Sequence, residues 1–165
     1  MVPIKIEILQ KSHDKGSFDS ETPLLDTYIR TQASQDVKRD LSVCYVLTGD
    51  DKKVLGYYTL SSNSILRDEL PDDLVKRLPL SYRDLPTILL GRLAVDKRQK
   101  GKRYGEILLM DALERSLRLG DQLGILAVTV DPIDEKATSF YKKYGFIVIP
   151  SNGKMFIPID TLRRS

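Results

Sequence analysis

The stretch VDKRQKGKRYGE, Val95 to Glu106, holds the densest candidate chemistry in this sequence. Five of the seven residues from Lys97 to Arg103 are cationic, and Gly101 and Gly105 sit among them. Such a loop can cradle a phosphate, hold a nucleic acid, or simply be solvated. A helix that follows it sharpens the first option, because a helix N-terminus presents unpaired N–H groups and the positive end of a dipole. Glycine lets the backbone approach a bulky anion closely and take φ > 0. No GxxxxGK[ST] pattern is present, so the loop is not an NTPase P-loop. Other chemistries narrow quickly. With His13 the only histidine and Cys44 the only cysteine, His/Cys zinc sites are disfavoured and no metal is expected. A Ser-His-Asp or Cys-His system would have to recruit His13, which lies in the polar run QKSHDKGS and reads as a solvated loop residue.

The elements that must position this loop follow from periodicity. A chain of 165 residues with 41% hydrophobic and 30% charged residues suits one globular domain, 1–165. Its net charge of +3 permits an anionic partner without arguing for one. A lone cysteine excludes an intrachain disulfide, and no apolar run approaches a signal peptide or a membrane span, so a cytoplasmic location is expected. Ile4, Ile6 and Ile8 alternate with charges as an edge strand. Thr22-Pro23 offers a cap and a first-turn proline for a helix over about Pro23–Lys38. SVCYVLTGDDKKVLGYYTLSSNSI reads as two strands around Gly49-Asp50-Asp51, and DELPDDLVKRLP as a short helix or connector.

Thr87 to Asp96 is a nearly continuous apolar run, the pattern of a strand buried on both faces. The cationic loop follows it, and then an amphipathic helix over Glu106–Leu119 with Leu109, Leu113 and Leu117 on one face. LGILAVTVD is a further buried strand. DEKATSFYKKYGF reads as a helix with Asp134 as N-cap and Gly145 at its end, and FIVIP and MFIPID as a closing strand pair. Strands alternating with helices predict an α/β layered domain.

LAVD leading through a glycine-bearing loop into EILL resembles the acetyl-CoA-binding region of the Gcn5-related N-acetyltransferases (GNAT). The family's loop pattern is Arg/Gln-x-x-Gly-x-Gly/Ala ahead of a Leu-Leu pair. Registered on Leu108-Leu109, it falls on Lys100, Gly101, Lys102, Arg103, Tyr104 and Gly105, with Lys100 at the Arg/Gln position and Arg103 at the first Gly. Starting instead at Arg98 keeps Arg98 and Gly101 but shifts the Leu pair. DEKATSFYKKYGF is similar to the family segment N/D-xx-A-xx-FY-xx-(F/Y)-GF. GYYTL, GRLAVD and FYKKYGF together resemble one GNAT branch, the toxins of type II toxin–antitoxin pairs, over about Phe18–Arg164. The resemblance implies an α/β (α+β) single-domain GNAT fold, with a mixed, mostly antiparallel sheet of about six to seven strands flanked by helices.

It also implies acetyl-CoA as cosubstrate, aminoacyl-tRNA as acceptor through its α-amino group, and a ribbon-helix-helix antitoxin as partner; a homodimer is left open. The pyrophosphate is expected at Lys100–Gly105 and the pantetheine arm along Leu93-Ala94-Val95, a strand edge that such an arm can extend. Asp134 and Phe140 match the second segment and are expected on the cofactor side. Tyr141 is the candidate general acid, since a phenol is protonated at neutral pH and can hand its proton to the CoA sulfur. No carboxylate stands out as a base, which fits an α-amine of reference pKa about 7.7–8.0. Arg92, Lys97, Arg98, Arg163 and Arg164 are candidate tRNA contacts against a background of solvated charge. Arg92 stands apart, because it interrupts an apolar strand. Two other readings compete: a GNAT enzyme for a small amine or protein N-terminus, and a non-catalytic GNAT-fold binding module.

Overall fold

The computed structural model describes residues 3–165; the first two residues of the expected 1–165 domain lie outside them. The elements run β1 (Lys5–Ile8), α1 (Pro23–Thr27), a π turn (Tyr28–Gln32), α2 (Ala33–Lys38), β2 (Val43–Thr48), β3 (Val54–Leu66), α3 (Asp72–Val75), β4 (Asp84–Val95), α4 (Tyr104–Gly120), β5 (Ala127–Val130), α5 (Glu135–Lys143), β6 (Ile147–Val148), β7 (Met155–Pro158) and α6 (Ile159–Arg164). Seven strands form one sheet in the order β1-β2-β3-β4-β5-β7-β6. β4 and β5 pair in parallel, while β1/β2, β2/β3, β5/β7 and β6/β7 pair antiparallel. This is the mixed, mostly antiparallel sheet that the sequence implied.

The chain divides into two compact units, one reaching to Ser61 and including Gly91–Ala112, the other comprising Ser62–Leu90 and Leu113–Ser165. The first packs Phe18, Tyr28, Ile29, Cys44, Tyr57 and Ala94 into a buried cluster. The second packs Ile65, Leu70, Leu85, Ala127, Ile149 and Phe156. β4 is buried almost continuously from Thr87 to Leu90, where it pairs with Ala127–Val130, and that parallel ladder ends at Leu90↔Val130.

The structure departs from the sequence reading in four respects. The helix over Pro23–Lys38 is continuous in extent but opens into a π turn over Tyr28–Gln32. Thr22 is extended and Pro23 occupies the first turn as expected, yet the Thr22 side chain makes no cap. MFIPID does not remain extended: β7 stops at Pro158, and Ile159 begins a helix with Asp160 in its first turn and Arg163 and Arg164 in its last, a charge order that suits the dipole. His13 is not solvated. It is 4% exposed, because both ring nitrogens find local partners: Gln10 N–H donates to Nδ1 (2.8 Å), leaving Nε2–H to donate to Glu7 Oε1 (2.8 Å).

Gly56 of β3 lies close to Leu108 of α4 in the first unit. A Cβ there would lie 2.8 Å from Leu108 Cδ1 and 3.0 Å from the Ala94 carbonyl oxygen. Gly56→Ala is therefore expected to destabilise the protein by about 1–3 kcal/mol through overpacking, read as a lower urea midpoint at unchanged slope.

Candidate active site

The residues singled out in the sequence fall in two places. Leu93-Ala94-Val95 is the tail of β4, beyond the end of the parallel ladder. Ala94 points into the core of the first unit, and Leu93 and Val95 are half-buried. Asp96 N–H donates to the Leu55 carbonyl (2.9 Å) and keeps the chain in register as it leaves the sheet.

At Asp96 the strand turns into the cationic loop. Its carboxylate is 2% exposed and accepts four hydrogen bonds. Oδ1 takes Arg98 N–H (2.9 Å) and Arg98 Nε (2.9 Å); Oδ2 takes Arg98 Nη2 (2.8 Å) and Asp19 N–H (3.1 Å). The Arg98 side chain, helped by the two backbone N–H groups, outweighs burial and holds the Asp96 pKa down at about 2. Arg98 Nη2 also donates to the Ser17 carbonyl (2.7 Å), and Lys97 N–H donates to the Asp19 carbonyl (2.8 Å). Lys97 Nζ pairs with Asp19 (3.0 Å) and Lys100 Nζ with Glu21 (3.0 Å). Three cations expected to meet phosphate or RNA thus hold the segment Ser17–Glu21 against the loop.

What remains for an anion is backbone. α4 begins at Tyr104, two residues earlier than the periodicity suggested, so Gly105 sits inside its first turn. Ile107 N–H closes that turn onto the Arg103 carbonyl (3.1 Å). The N–H groups of Gly101, Lys102, Arg103, Tyr104, Gly105 and Glu106 have no backbone partner among the described residues. Gly101 takes φ +83° and Arg103 takes φ +62°. Arg103 therefore adopts the left-handed conformation that a glycine would take at low cost, which explains why the family pattern has glycine there. Its side chain is mostly exposed, 3.9 Å from Glu106. Lys102 Nζ donates to Gln99 Oε1 (2.8 Å).

Tyr141 lies on α5, in the other unit. Asp134 caps that helix by accepting Ala137 N–H (2.8 Å), so its carboxylate has a structural task. Gly145 (φ +97°) ends the turn that follows. The Tyr141 ring sits edge-on against Phe140 and Phe146, each 5.3 Å between centroids. At 8% exposure, burial alone pushes its phenol pKa upward. The hydroxyl makes no hydrogen bond among the described residues. The ring is thus fixed and buried, and its hydroxyl stays protonated at neutral pH.

The sequence profile of the acetyltransferase (GNAT) family matches residues 7–146. This chain belongs to the GNAT acetyltransferases. It is 33% identical over 144 residues to a tRNA-acetylating toxin of Mycobacterium tuberculosis, covering 87% of this chain and 84% of that one. Among solved structures it is similar to AtaT complexed with acetyl-methionyl-tRNAfMet (TM-score 0.91, 29% identity, 98% of each chain). It is also similar to a mutant AtaT toxin bound to the C-terminus of the antitoxin AtaR and acetyl-CoA (TM-score 0.81, 25% identity, 98% of this chain and 96% of that one).

GNAT enzymes use acetyl-CoA, and the loop fits that group. Six unpaired N–H groups at the start of a 17-residue helix suit a pyrophosphate, and the open space around Gly101 leaves room for it. Sequence reasoning found the loop but missed Asp96, Asp19 and Glu21, which fix it. The Asp before Lys97-Arg98 was the available signal, since Asp commonly caps such turns.

Two outcomes are expected. Asp96→Asn should cost about 2 kcal/mol, the worth of the depressed pKa. Because the folded pKa lies below the unfolded one, this stability is present above about pH 4 and disappears as pH falls towards 2; urea melts across that range compare variant and wild type. Arg103→Gly should keep or improve acetyl-CoA affinity by calorimetry. It relieves about 1–2 kcal/mol of left-handed strain, partly offset by the looser unfolded chain.

Proposed function

We propose that this GNAT protein is an acetyl-CoA-dependent toxin that acetylates the α-amino group of aminoacyl-tRNA and so blocks translation. The observation that carries the reading is similarity along nearly the whole chain to a tRNA-acetylating toxin and to AtaT with acetyl-methionyl-tRNA. Its neutralising partner is then an antitoxin, a reading supported by the similar toxin bound to an antitoxin C-terminus; the ribbon-helix-helix type of that antitoxin rests on the sequence resemblance alone. No helix among the described residues is long and apolar enough to cross a membrane, and the proposed substrate places the activity in the cytoplasm.

Bound acetyl-CoA supplies the acetyl group and a thiolate leaving group. The N–H groups of Gly101–Glu106 hold its pyrophosphate, and the tail of β4 aligns its arm through backbone pairing. An N–H at Leu93 or Ala94 stabilises the developing oxyanion. Tyr141 gives its proton to the departing sulfur. Asp134 acts by capping the helix that carries Tyr141, and Phe140 by packing on its ring. The amine attacks in its neutral form, and a group of pKa about 7.7–8.0 reaches that form near neutrality without a strong base.

Purified protein is expected to transfer labelled acetyl groups from acetyl-CoA to charged tRNA; binding of acetyl-CoA with no transfer to any charged tRNA would sink the proposal. Tyr141→Phe should lower kcat about 10²- to 10⁴-fold. The rate should climb with pH as the amine deprotonates, through about pH 7.7–8.0. No falling limb from Tyr141 should appear below about pH 10, because burial raises its pKa above the reference phenol value.

A further inference from the structure

We propose that Arg92 and Tyr28 form a preorganised receptor for a phosphodiester oxygen of the acceptor nucleic acid, an inference that rests on the tRNA-acetylating reading above. Both residues lie in the first unit. Arg92 sits on β4 immediately before Leu93, and its guanidinium lies 3.6 Å from the centroid of the Tyr28 ring. The cation thus sits over the face of the ring within contact distance, which restrains the guanidinium.

The guanidinium donors are unclaimed. Every other arginine or lysine of the loop and its strap has a carboxylate or amide partner, whereas Arg92 makes no ion pair and no hydrogen bond among the described residues. It is also half-buried. A guanidinium withdrawn from water carries five N–H donors, and withdrawing them without acceptors is costly unless an anion completes the site. Carboxylate and phosphate are the anions whose paired oxygens match the fork.

The stacking partner is itself fixed. Tyr28 is 3% exposed, donates its hydroxyl hydrogen to Asp36 Oδ2 (2.8 Å) and lies 3.3 Å from Ser42 Oγ. Its ring also lies near-parallel to that of Tyr57 (6.3 Å, 19°), whose hydroxyl donates to the Leu25 carbonyl (2.7 Å). Tyr28 opens the π turn, an irregularity common at functional sites. The supporting carboxylate, Asp36, reaches the phenol and is not within ion-pair distance of Arg92. The charge of Arg92 is therefore available to a ligand, and on a charged tRNA, whose amino acid is joined through a neutral ester, the anionic oxygens that match a guanidinium fork are those of the phosphodiesters.

Kinetics with two acceptors tests this: charged tRNA, and the methyl ester of the same amino acid, which carries the amine but no phosphate. Arg92→Gln is expected to raise KM for charged tRNA at least about tenfold beyond any change seen with the ester. The slope of log kcat/KM against log salt for charged tRNA should fall in magnitude by about 0.7–0.9, one phosphate contact. Arg92→Lys should recover only part of the loss, because a point charge lacks the fork, and Tyr28→Leu should act in the same direction as Arg92→Gln. Acetyl-CoA titration of each variant checks folding. Equal losses on both acceptors, or an unchanged salt slope, would overturn the receptor while leaving the tRNA reading standing. Wild-type protein that acetylates the ester but no charged tRNA would overturn both.

Discussion

Four hydrogen-bond donors converge on the carboxylate of Asp96, and the cationic loop has a shape only because they do. Five positive side chains within seven residues repel one another, and an untethered loop of that composition would be spread and mobile. A buried carboxylate reverses this. Charge-assisted bonds from Arg98 and two backbone N–H groups satisfy it more fully than water would at no exposure, and the depressed pKa records the balance. Asp19 then repeats the device one layer out, with its own pKa lowered first by Glu21 N–H and then by Lys97. The result is a double clasp of carboxylates and cations that pins Ser17–Glu21 against the loop from Asp96 to Lys100.

The clasp changes what the positive charge is for. Read as a string, Lys97 to Arg103 looks like a phosphate grip made of side chains. Folded, Lys97, Arg98 and Lys100 pair with protein carboxylates, and the N–H groups of Gly101–Glu106 are left as oriented peptide dipoles without a backbone partner. Dipoles fixed in a helix end pay no rotamer entropy on binding, whereas each long lysine or arginine would pay up to about 2 kcal/mol. The loop is thus basic for structural reasons, since its cations hold protein carboxylates. Arg92 is the exception, a charge kept out of the clasp and stiffened by an aromatic face instead of a carboxylate.

Much of the fold was legible because strands and amphipathic helices write their periods locally. The edge strand at Ile4–Ile8, the buried run of β4, the leucine face of α4 and the Asp134 cap all follow from patterns a few residues long. The misses are of another kind. His13 looked solvated because its neighbours are polar, but those neighbours are what satisfy it in burial. Ile159–Arg164 continues an apolar strand in sequence and turns helical after Pro158, where the dipole-matched charges, rather than hydrophobicity, carried the signal. In the site, the GNAT pattern located the loop, and Arg103 showed as a mismatch. Whether that mismatch mattered depended on the sign of φ, which residue type alone does not determine.

Arg103 shows how the site tolerates a residue that the local rule disfavours. Its left-handed backbone is required by the turn, since the chain must reverse from the loop into α4 while leaving the N–H groups of the first turn unpaired. A β-carbon in that region costs about 1–2 kcal/mol wherever it occurs. The cost is borne because the first turn of α4 closes onto Arg103 itself, through Ile107 N–H to its carbonyl, and because Leu108 and Leu109 just beyond are fully buried. Each such leucine contributes about 1.5–3 kcal/mol on burial. The packing of the helix therefore exceeds the strain at its entrance, and the left-handed turn persists at Arg103 where the family pattern has glycine.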